Sequence, residues 1–211
     1  MDSVSEPRAA PIDAIGEVGA LFAGPEVDPS AVANLLDSLS HAQRVQAVRS
    51  LGRSEQRRLY AAVDEFRPLR LVDLVPPQVA DFETVRHLGR NTLPAFTHFE
   101  KHFCRPPGVD GTEPDHLYGF NFQRLSGLTG PGYFLARSAR DETEVEVDYN
   151  VLPPDHPVDW PAIQPNDRGL SRFVYGYMVD TLRRVSEHVS IGSAARRGRD
   201  MGSWFVLCRD A

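Results

Sequence analysis

Lysine is almost missing from this chain: Lys101 stands alone among 23 basic residues, and arginine fills every other basic position. A GC-rich bacterial genome produces such a bias, so the abundance of arginine by itself says little about phosphate or carboxylate recognition. Cysteine is scarce too. The two present, Cys104 and Cys208, make no disulfide framework, and the opening MDSVSEPRAAPIDAIG lacks both the basic start and the apolar core of a secretory signal. The expectation is a cytoplasmic protein with free thiols. Long apolar runs are absent as well, since the densest stretch, WFVLC at 204–208, falls far short of the ~20 residues of a helical membrane span. Positive charge is not in excess. A net charge of −6 speaks against general nucleic-acid binding, which wants a basic face, and any anionic partner has to use a local patch. No GxSxG motif occurs, and Cys104 lies in no recognisable nucleophile signature.

What is present describes a globular protein: 41% hydrophobic and 25% charged residues over 211 positions, enough for one core domain with an appendage. Residues 1–27 are polar, small and weakly periodic, and are expected to be mobile. Helical signals begin at Asp28, which caps DPSAVANLLDSL with Pro29 at the first helical position. Ser40 caps HAQRVQAVRSL, with Gly52 as its stop, and Ser54 caps EQRRLYAAVDEF. These three segments form a helical subdomain over 28–67. Pro68, Pro76, Pro77 and Pro94 then mark a seam before a core domain at 68–211.

In that domain the period changes to two. HLYGFNFQRL at 116–125, GYFLARS at 132–138 and TEVEVDYNV at 143–151 predict three sequential antiparallel strands, the last with Val145, Val147, Tyr149 and Val151 on one face. A proline-rich loop spans 151–169, held by Trp160 and Ile163. LSRFVYGYMVDTLRRVSEHVS then carries apolar residues at helical spacing from Leu170 to Val189 and predicts one long amphipathic helix. WFVLC reads as a strand buried on both sides. The fold class expected is α+β: short N-terminal helices, then a mostly antiparallel sheet, a three-strand meander plus the C-terminal strand, packed on the long helix.

THFEKHFC at 97–104 raises a sharper question. On a helix, Phe96, Phe99 and Phe103 share a core face, while His98 and His102 are four apart, the spacing with which zinc helices aim two imidazoles at one point. No further ligand stands at a convincing spacing, so the pair is read as boundary histidines of a helical or extended segment, and no metal or other cofactor is expected. His188 on the apolar face of the long helix needs a hydrogen-bond partner, in the core or in a pocket. The glycines of SGLTGPGYF open onto a strand and make a hairpin turn more naturally than a phosphate cradle. Arg183, Arg184, Arg196, Arg197 and Arg199 form a basic cluster, explained in part by the dipole at the end of the expected helix.

Three functional readings follow. The first is a non-catalytic protein binding a small apolar ligand in a cavity between sheet and long helix, lined by Tyr118, Phe120, Phe122, Tyr177 and His188. The second is an enzyme using His98, His102 or His188 as bases or metal ligands. The third is an interaction module whose N-terminal helices dock a protein partner.

Overall fold

The computed structural model describes residues 13–94, 97–122, 130–169 and 171–210, and its centre is a closed antiparallel barrel. The strands are β1 (Val85–Asn91), β2 (His98–Cys104), β3 (Leu117–Phe122), β4 (Tyr133–Ser138), β5 (Val145–Asp148), β6 (Met178–Arg184), β7 (Val189–Arg196) and β8 (Arg199–Arg209). Each pairs with the next, and β8 returns to β1 with Cys208 opposite Leu88. The α+β expectation is therefore wrong. Closure leaves no edge strand, and side chains alternate between the lumen and the outer wall.

Over the described residues 171–190 the expected long helix does not form. A short helix, α6 (Ser171–Val174), is followed by Tyr177 at φ 61°, and then by the β6–β7 hairpin. The pattern misleads because apolar positions four apart, such as Met178 and Leu182, lie on one face of a helix and equally on one face of a strand. Valine and threonine at 179 and 181 favour the strand. THFEKHFC is likewise a strand, β2, with Phe99, Lys101 and Phe103 buried and His98 exposed. Phe96, Gly127 and Leu170 lie outside the described residues, as do residues 1–12.

The N-terminal helices are α1 (Ala14–Ala20), α2 (Pro29–Ser38), α3 (His41–Ser50) and α4 (Arg53–Ala62). Asp28 caps α2 by accepting the Ser30 N–H at 2.8 Å, and Gln43 reaches back to the Ser40 N–H at 3.1 Å to close the box that starts α3. Gly52 precedes α4 as its N-cap. Buried Arg44 donates to the Leu36 and Leu39 carbonyls, both at 2.8 Å, satisfying acceptors that the end of α2 leaves over. The apolar face of these helices, with Val32, Leu36, Val48, Leu51 and Leu59, packs on the outer wall through Ile191, Val206 and Cys208. The same wall under β3 and β4 is covered by the proline-rich loop, where Trp160 meets Phe120 and Tyr133 and donates to Thr84 Oγ1 at 2.7 Å. Among the described residues no helix is long and apolar enough to cross a membrane.

Inside, the lumen is filled from one end. α5 (Leu71–Leu74) plugs that end with Leu71 and Leu74, which pack with Val85, Phe103 and Leu117. His87 Nε2 lies 3.0 Å from the Leu74 carbonyl, which only accepts, so Nε2 carries the proton. Two inward glycines make room for aromatic rings: a Cβ on Gly119 would meet Phe134 at 2.2 Å, and one on Gly192 would meet Phe205 at 2.2 Å. At the other end, α6 and Tyr175 cover the mouth in part, and Tyr175 stacks on Tyr149 with ring centroids 5.4 Å apart.

Candidate functional site in the barrel lumen

Three strands and the residue just past a fourth each place one polar side chain in an inward row whose neighbours are apolar. On β2, Lys101 interrupts Phe99 and Phe103; on β3, Asn121 follows Leu117 and Gly119. Tyr149, just past β5, continues the row of Val145 and Val147, and on β6 Asp180 stands between Met178 and Leu182. The barrel brings these four together. Lys101 is 1% exposed and Asp180 2%, and their Nζ and Oδ2 are 3.0 Å apart.

The ammonium is fully used. Its three protons meet Asp180 Oδ2, Asn121 Oδ1 at 3.1 Å and the Tyr149 hydroxyl. The rings of Phe134, Tyr149 and Phe205 each stand 4.9 Å from Nζ, a placement that favours the cation. The Tyr149 oxygen also accepts from Asn121 Nδ2 at 2.7 Å and donates to Asp180 Oδ2 at 3.1 Å. Burial still lowers the Lys101 pKa, with the Asp180 carboxylate opposing that shift, and burial raises the Tyr149 phenol well above its ordinary value. At neutral pH the phenol is therefore a hydrogen-bond donor and not a base.

One atom of the cluster is left over. Among the described residues Asp180 Oδ1 is buried with no hydrogen-bond partner. A lone acceptor on a buried carboxylate is costly unless something fills it. Asp180, Lys101, Asn121 and Tyr149 form the floor of a cavity of about 240 Å³ that opens at the α6 end of the barrel. Its walls are Phe99, Tyr175, Met178, Ala194, Trp204 and Phe205, with Arg196 among the residues that line it. Such an arrangement holds an apolar body and offers its inner end one charged acceptor.

The residues singled out from sequence lie elsewhere. Tyr118 and Phe120 do share a face of β3, but it is the outer one, buried under the Trp160 loop; Phe122 is 43% exposed at the end of that row. Tyr177 is largely exposed, with the Arg197 guanidinium over its ring at 4.4 Å. His188 sits in the β6–β7 turn, its Nδ1 accepting from Arg209 at 3.1 Å. His102 Nε2 is 2.7 Å from Glu100 Oε2, and its ring lies against Phe120 on the outer wall. His98, also facing outward, has its pKa lowered by burial and by the nearby Arg49 and Arg90. Among the described residues, three or more histidine, cysteine, aspartate or glutamate side chains nowhere gather into a possible metal cluster.

The basic cluster is dispersed by the barrel: Arg183 pairs with Asp64 at 2.8 Å and Glu144 at 2.5 Å, and Arg184 with Asp73 at 3.1 Å. Only Arg196 of that group reaches the lumen. Lys101, Asn121 and Asp180 carried a legible signal, a polar residue interrupting an apolar row at period two; assigning 170–190 to a helix hid it at Asp180. No protein-family model matches the chain, and no curated protein or solved structure matches it either.

Proposed function

We propose that the protein binds a small, largely apolar molecule inside the barrel, with its inner end against Asp180. The ligand site is the lumen and not a groove between sheet and helix. The observation that carries this reading is the unpartnered Asp180 Oδ1 at the base of an apolar cavity of about 240 Å³, a space the size of a one- or two-ring compound. The lining is aromatic, and ring faces supply much of the affinity of such sites. Among the described residues no histidine lines this cavity; His102 and His188 border separate clefts on the outside of the barrel.

The test is ligand-observed NMR with a panel of one- and two-ring compounds on wild type and on Ala194→Phe, which fills the lumen from the position beside Asp180. Ala194 is buried, pairs with Asp180 and lines the cavity, so the new ring enters it. Saturable binding by wild type and its loss in a folded Ala194→Phe protein is the expected result. A panel that never distinguishes the two proteins would overturn the assignment.

A further inference from the structure

Resting on the lumen as the binding site, we infer that the ligand is an anion with a hydrogen-bond donor at its far end: a small aromatic acid carrying a hydroxyl or amino group opposite its carboxylate. The first ground is charge. Three charged side chains line the cavity, Lys101, Asp180 and Arg196. Lys101 and Asp180 cancel each other as a direct pair. Among the described residues Arg196 has no carboxylate in ion-pair distance; its Nη2 donates to the carbonyls of Phe173 at 2.9 Å and Val174 at 3.1 Å, and touches Met178 Sδ at 3.5 Å. The cavity therefore carries one uncompensated positive charge, even though the chain as a whole is at −6. An anionic group is the complement of that field.

The second ground is the pair of unpartnered atoms. Asp180 Oδ1 accepts and Arg196 Nε donates, and both are buried without a partner among the described residues. Asp180 lies opposite Ala194 in the β6–β7 ladder, and Arg196 is two residues further along β7 toward the mouth. Both Ala194 and Arg196 face inward, and the two-residue step spans roughly 6.5–7 Å. The two atoms therefore belong to adjacent strands and to one cavity, walled by Phe99, Trp204 and Phe205, whose volume of about 240 Å³ admits one benzene ring with a polar group at each end. A ligand that fills this space keeps its affinity only by bonding both atoms, because an apolar group covering either one leaves it buried and unpaired.

Isothermal titration of the wild-type protein with 4-hydroxyphenylacetate, phenylacetate and 4-methylphenol tests this. The first is expected to bind about tenfold more tightly than either of the others, since each of them loses one charge-assisted hydrogen bond. Arg196→Gln should remove the preference for the carboxylate while keeping the preference for the hydroxyl, a split that mere loss of structure does not produce. If all three compounds bind equally and Ala194→Phe abolishes them all, the lumen is a plain apolar pocket and this inference fails while the proposed function stands. If their binding survives Ala194→Phe, the lumen assignment itself fails.

Discussion

Replacing Lys101 by methionine tests the polar floor of the barrel most directly. The substitution nearly keeps the volume of the side chain, one atom shorter, and removes the charge, so the cost is chiefly electrostatic and not a cavity. In the wild type the ammonium satisfies Asp180 Oδ2, Asn121 Oδ1 and the Tyr149 hydroxyl while being 1% exposed. Without it, the Asp180 carboxylate keeps one protein donor, the Tyr149 hydroxyl at 3.1 Å, in a site already short of one partner at Oδ1. Breaking a buried pair from one side costs about 3–5 kcal/mol, a large share of the roughly 5–15 kcal/mol that holds a domain folded. Removing both charges, as in Lys101→Met/Asp180→Leu, should recover most of the loss, because Asn121 and Tyr149 still bond each other at 2.7 Å. Urea unfolding followed by circular dichroism on the four proteins of the cycle measures this, with an expected coupling above ~2 kcal/mol. A Lys101→Met protein within ~1 kcal/mol of wild type would refute the reasoning and show that water reaches the pair.

His87, fully buried beneath the cluster, has its pKa pushed down to about 3 by loss of solvation, so below pH 6.5 the unfolded chain takes up a proton that the folded one does not. Stability should fall with pH from 6.5 toward 3, by about 2 kcal/mol at pH 5 from this group alone; denaturation at pH 7 and 5 should show a smaller difference for His87→Gln, and an unchanged difference would exclude His87 as the cause. Gly119→Ala should destabilise by about 1–3 kcal/mol or more, because the new methyl meets the Phe134 ring and, at 2.6 Å, the His102 carbonyl. A melting temperature equal to wild type would mean that Phe134 does not cross the lumen there.

Local features were legible in the sequence because they depend on neighbours in the chain. The caps at Asp28 and Ser40 with the two helices they start, the existence of a third helix whose cap is Gly52 and not the expected Ser54, the alternation in β3, β4 and β5 and the fully apolar end of β8 all follow from short-range chemistry. What the chain alone left undecided was which side of each strand is inside. In β3 the aromatic row of Tyr118, Phe120 and Phe122 looks like the lining of a pocket, yet closure turns it outward under Trp160 and turns Gly119 and Asn121 in. Both faces of these strands are buried, so hydrophobicity does not distinguish them; the glycine does, by yielding space to Phe134 across the lumen. Residues 170–190 satisfied a helical face and a strand face equally, and pairing with β5 and β8 decided for strands. The site is the extreme case, since Lys101, Asn121, Tyr149 and Asp180 span 79 positions between the ion-pair partners. Each is an isolated polar residue in an apolar row, and only the closed barrel makes them one cluster.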